Sequence, residues 1–82
     1  MNRFKVLLFA RAKELAGGGI VEVEMEETAT VGDLRRSLGE FHPKLAGLLP
    51  HCMFAVDDAY VPDSFKLPAT GEIACIPPVS GG

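Results

Sequence analysis

Apolar and polar positions alternate from the start of the chain. Phe4, Val6 and Leu8 fall on one parity and Lys5, Leu7 and Phe9 on the other. A period of two marks a strand with two faces, and residues 4–10 are expected to form one. Lys5 marks the outer face, which leaves Leu7 and Phe9 as an apolar patch for a partner. Residues 10–16 (ARAKELA) are helix formers, closed by the flexible turn Gly17-Gly18-Gly19. From Val21 to Glu26 the alternation is clean: Val21, Val23 and Met25 point inward and the glutamates outward. Those charges also guard the strand against edge-to-edge pairing.

The period then lengthens. Val31, Leu34, Leu38 and Phe41 recur at helical spacing, which predicts a main helix with these four on its core face and Arg35, Arg36 and Glu40 toward solvent. Thr30 is its expected N-cap, with Asp33 completing a variant capping box. Pro43 to Leu49 reads as a second, short helical turn that Pro50 ends. Cys52–Val56 is expected as a strand, Asp57-Asp58 as a turn and Tyr60-Val61 as a short return strand. The loop 62–68 is expected to be anchored by Phe65 and Leu67. The final strand, Glu72 to Ile76, puts Ile73 and Cys75 on one face and Ala74 and Ile76 on the other, where Ile76 extends the Leu7/Phe9 patch if this strand lies beside the first. A right-handed crossover through the main helix returns the chain to the same sheet. The predicted class is α+β, of the ubiquitin-like β-grasp type: a mixed sheet with one main helix and short extra helices on one face.

Composition narrows the chemistry. Eighty-two residues make one domain, read as 1–76 with a flexible tail, 77–82. A net charge of −3 speaks against nucleic-acid binding. No apolar run approaches the ~20 residues of a membrane span, and the start of the chain has no cleavage-site pattern, so a cytoplasmic location is expected. Cys52 and Cys75 sit in apolar runs without a CxxC partner and read as buried, reduced thiols. His42 and His51 are isolated, as caps or surface residues. No metal cluster or nucleotide motif accompanies them; the glycine triplet reads as a loop and the glutamates as a solvated face.

What remains is Ile76-Pro77-Pro78-Val79-Ser80-Gly81-Gly82. The prolines stop the last strand and favour extended backbone. Gly81 and Gly82 lack a Cβ, so a narrow channel can close on them. The candidate functional group is the carboxyl of Gly82. With a pKa near ~3.5 it is an anion and a poor electrophile at pH 7, so it needs activation.

The chain resembles the ubiquitin-like sulfur carriers, in their molybdopterin synthase branch. The resemblance is carried by Val6–Ala10 with Lys13-Glu14, Ala29–Leu34, His42-Pro43, Ala55–Asp57 before Tyr60-Val61, and above all Gly71 to Gly82 with its Pro-Pro-Val-Ser-Gly-Gly ending. It implies a non-catalytic subunit of a sulfurtransferase complex of two small and two large subunits. In such carriers the terminal glycine is adenylated by an activating enzyme resembling the ubiquitin-activating type. A sulfurtransferase or cysteine desulfurase supplies sulfur, and the glycine becomes a thiocarboxylate. The tail inserts into the synthase large subunit, where sulfur passes to cyclic pyranopterin monophosphate. Carried over, Gly82 bears the sulfur and passes through a glycyl adenylate. Phe9, Lys13, Ile76 and the tail residues Pro77, Pro78, Val79, Ser80 and Gly81 meet partners. The chain itself would bind no cofactor, the ATP belonging to the activating enzyme. A thiamine-pathway carrier and a protein modifier joined through Gly82 are the alternatives.

Overall fold

The structure, a computed structural model, describes residues 1–69 and 72–78. Five strands form one mixed sheet: β1 (Asn2–Leu8), β2 (Ile20–Met25), β3 (Met53–Val56), β4 (Ala59–Val61) and β5 (Ile73–Ile76), in the order β2-β1-β5-β3-β4. β1 pairs antiparallel with β2 and parallel with β5, while β3 pairs antiparallel with both β4 and β5. The first strand thus begins and ends two residues earlier than its pattern suggests. Two helices, α1 (Ala10–Ala16) and α2 (Val31–Phe41), accompany the sheet. This is the ubiquitin-like β-grasp arrangement, with β5 central and placed beside β1.

The core is built by parity. Phe4, Val6 and Leu8 of β1, Val23 and Met25 of β2, Phe54 and Val56 of β3, and Ile73 and Cys75 of β5 turn to the helix side and are buried. Val31, Leu34 and Leu38 of α2 close over them with no exposed surface. Burying each such side chain contributes roughly 1.5–3 kcal/mol, and this packing holds the thin second layer in place.

Thr30 caps α2 as expected. Its hydroxyl accepts from the Asp33 amide at 3.3 Å and the Asp33 carboxylate accepts from the Thr30 amide at 3.0 Å. The loop before β5 satisfies the two remaining free amides of that turn: Val31 N–H donates to the Phe65 carbonyl and Gly32 N–H to the Asp63 carbonyl, both at 2.9 Å. A Cβ on Gly32 would stand 3.4 Å from the Asp63 carbonyl oxygen, so glycine suits this close approach.

Four expectations are corrected. Phe41 is 67% exposed rather than in the core; the last turn of α2 carries it over β2, where it lines an open groove with Arg3 and Val23. Arg35 is not directed to solvent. It lies four residues after Val31, on the flank of the buried face, and its guanidinium donates through Nη1 to the Leu49 and Cys52 carbonyls and through Nη2 to Asp63 at 2.7 Å. Phe65 anchors its loop by its carbonyl, its side chain being 39% exposed, and Leu67 supplies the buried contact. The segment after Pro43 is two 3₁₀ turns, Pro43–Leu45 and Leu49–His51, and Pro50 lies inside the second rather than ending a single one. Proline at an early helical position costs no hydrogen bond, which permits this.

Candidate functional site

The site is assembled on the face of the sheet away from the helices. Cross-strand register places Ile20, Leu7, Ala74, Ala55 and Tyr60 side by side across all five strands. Two alanines at the middle, between Leu7 and Tyr60, leave a shallow trough. Leu8 pairs with Cys75 and Met53 with Ile76; one step past Leu8, Phe9 therefore falls beside Ile76. Leu7, Phe9, Ala74, Ile76, Ala55 and Tyr60 line a groove of about 240 Å³, with Asp58 and Glu72 on its rim. Phe9 is 46% exposed, Met53 53% and Tyr60 62%. Unpaired aromatic and thioether surface at this density is the composition of a protein-docking face.

Local structure explains why these residues are presented. Phe9 is the N-cap of α1, still in extended backbone, and Ala10 follows at φ 51. That abrupt change ends β1 and turns the chain into α1 directly after Phe9. A left-handed conformation is costly for a residue with a Cβ. Gly17, at φ 78, ends α1, its N–H donating to the Lys13 and Glu14 carbonyls. On the far side, Asp57 and Asp58 both have positive φ, the geometry of a tight two-residue hairpin turn, which holds Tyr60 opposite Ala55. Asp57 also ties this hairpin to the start of β5: its amide donates to the Glu72 carbonyl at 3.2 Å and its carboxylate accepts from the Glu72 amide at 3.4 Å.

Of the residues singled out from sequence, Phe9 and Ile76 meet in this groove. Lys13 is exposed on α1 and does not line it. Pro77 is buried, continuing the inward parity of Ile73 and Cys75, while Pro78 is exposed. Val79, Ser80, Gly81 and Gly82 lie outside the described residues. Sequence reasoning missed Met53, Ala55, Ala74 and Tyr60 as parts of the face. The parity of β3 and β4 could have supplied them, once their register against β5 was known.

No competing chemistry is found among the described residues. Cys52 and Cys75 are free and buried. Burial pushes both thiols up, Cys75 to about 12, which keeps them protonated and unreactive at neutral pH. No cluster of three or more His, Cys, Asp or Glu is placed to hold a metal, and no helix is long and apolar enough to cross a membrane.

Fold and face together define a small ubiquitin-like β-grasp protein whose central strand leads out beside an apolar docking surface. The chain belongs to the ThiS family, whose model matches residues 6–82. It is 36% identical to the molybdopterin synthase sulfur carrier subunit of Dictyostelium discoideum, over 99% of this chain and 98% of that protein. Among solved structures it is similar to small archaeal modifier protein 1 of Haloferax volcanii, with a TM-score of 0.85 and 29% identity over 96% of this chain and all of that one. It also shares its fold with the complex of subunits 1 and 2 of the molybdopterin-converting factor from Helicobacter pylori, at a TM-score of 0.69 and 22% identity, over 98% of this chain and 99% of the matched chain.

Proposed function

We propose that this protein is the sulfur carrier of molybdopterin synthase, and that its carboxyl at Gly82 becomes a thiocarboxylate whose sulfur is given to cyclic pyranopterin monophosphate. The observation that carries the reading is the apolar face of Leu7, Phe9, Ile76 and Tyr60 at the end of β5, five residues before the Gly81-Gly82 pair. A carboxylate needs activation before sulfur can replace its oxygen. An activating enzyme that resembles the ubiquitin-activating type supplies it by forming the glycyl adenylate from ATP. A sulfurtransferase or cysteine desulfurase then provides the sulfur, which displaces AMP. The large subunit of the synthase takes up the tail, Pro77 to Gly82, and docks on the groove. The likeness to carrier subunits over the whole chain supports this assignment.

The carrier functions in the cytoplasm, binds no cofactor itself, and has no catalytic centre apart from its partners. Its division of labour is a folded body, residues 1–76, that is recognised, and a tail, 77–82, that reacts. Removing Gly82 tests this directly. The shortened chain should keep its thermal midpoint, because no core residue is lost, and should fail to support precursor conversion with the large subunit. Repeated turnover by that chain would refute the mechanism.

A second reading has one observation in its favour, the likeness to the archaeal modifier protein. Here the activated Gly82 would be joined to a lysine instead of accepting sulfur. Lysine adducts that vanish when Gly82 is deleted would establish it. Conversion of the pyranopterin precursor separates the molybdopterin role from the thiamine-pathway one.

A further inference from the structure

We propose that the open edge of β2, together with Phe41, is a second docking site, and that its occupant is an extended segment of another protein with basic and apolar residues in alternation. Three observations meet here. β2 ends the strand order, and among the described residues only β1 pairs with it. The Leu8 amide donates to the Gly19 carbonyl at 2.8 Å, which sets the phase of the antiparallel ladder. From that phase Val21, Val23 and Met25 bond to β1, and Ile20, Glu22 and Glu24 turn their backbone groups to the free edge. Finally, Phe41 stands over this edge, 67% exposed, in an open groove of about 500 Å³ shared with Arg3, Glu22, Val23 and Glu24.

The geometry specifies the occupant. A strand added to β2 takes its main-chain hydrogen bonds from Ile20, Glu22 and Glu24, the mode of β-strand addition. Its residues on the helix side meet Phe41, where apolar side chains are favoured. Residues on the other side meet Glu22 and Glu24, with exposed Glu26 and Glu27 beyond them. The cations on this strip are Arg3, which pairs with Glu24 at 3.3 Å on the surface, and Lys5, which lies opposite Glu22. Four carboxylates face two cations, so a basic partner is selected. The same charges set glutamate against glutamate if a second copy pairs through β2, which excludes self-association here. β1 separates this edge from β5, so the site is distinct from the groove beside Ile76.

The test uses the full chain, labelled for amide NMR, with an alternating Lys-Val hexapeptide and a Glu-Val counterpart. The Lys-Val peptide should shift and protect the amides of Ile20, Glu22 and Glu24. Phe41→Ala, at an exposed position, should leave the thermal midpoint in place and weaken the peptide about tenfold. Exchanging Glu22 and Glu24 for lysine should transfer preference to the Glu-Val peptide. The inference is overturned if neither peptide perturbs the β2 edge, if both bind alike, or if the shifts centre on Leu7 and Ala74.

Discussion

Arg35 holds the layer behind the sheet together, and removing its guanidinium has a calculable cost. Nη1 bridges the carbonyls of Leu49 and Cys52, the second at 2.7 Å, and so ties α2 to the segment that enters β3. The Arg35 Cζ lies 5.0 Å from the Phe54 ring centroid, in the middle of the core. Arg35→Met keeps the apolar stem and deletes the donors. Two half-buried carbonyls lose a charged partner at about 1.5–3 kcal/mol each, with partial relief from water because the side chain is 22% exposed. The cation–π contact adds about 0.5–1 kcal/mol. A net loss of about 3–4 kcal/mol follows, against a total stability of roughly 4–12 kcal/mol for a domain of this size. At about 4–8 °C per kcal/mol the thermal midpoint should fall by more than about 12 °C. Asp63→Ala removes only the outer ion pair, whose carboxylate is 58% exposed, and should cost no more than about 1 kcal/mol. Urea titration of the three proteins decides the matter. An Arg35→Met protein within about 1 kcal/mol of the parent would refute the assigned role.

Two further predictions concern the docking face and the cap. Phe9→Glu should weaken binding of the synthase large subunit by about tenfold or more while changing stability little; titration calorimetry beside thermal melting checks both, and marked unfolding would show that Phe9 supports the core. Asp33 is held below its ordinary range, chiefly by the hydrogen bond from the Thr30 amide. A depressed carboxyl contributes stability above its unfolded value, near ~3.9, and loses it as pH falls through the folded one. The stability difference between the parent and Asp33→Asn should therefore be constant above about pH 5 and shrink in more acidic solution. Thr30→Ala should cost about 1 kcal/mol at neutral pH.

Most of the fold is legible in the residue pattern because period and parity are local properties. The clean alternation of Val21–Glu26 and the 31, 34, 38 stripe each state which side faces the core, and Thr30 with Asp33 announces the helix start. The misjudged residues depend on what lies opposite them. Phe41 continues the apolar stripe, yet by that turn α2 has reached the edge strand and Phe41 overhangs it. Arg35 looks like a solvent residue because the carbonyls it binds are 14 and 17 positions away. The docking face was half visible. Leu7, Phe9 and Ile76 follow from strand parity alone, whereas Ala55, Ala74 and Tyr60 join them only through the pairing of β5 between β1 and β3. Hydrogen bonding of Asp57 to Glu72, which fixes that hairpin against β5, has no signature in either segment by itself.

The central claim concerns one carboxyl, and intact-mass analysis of the protein tests it most directly. The carrier is isolated from cells actively making molybdopterin, and in parallel after incubation with the activating enzyme, ATP and a sulfur donor. A species heavier by the difference between sulfur and oxygen should appear, localise to Gly82 on fragmentation, and disappear when the large subunit and the pyranopterin precursor are added. Persistent absence of that species under active synthesis, or a sulfur that fragmentation places on Cys52 or Cys75, would contradict the account.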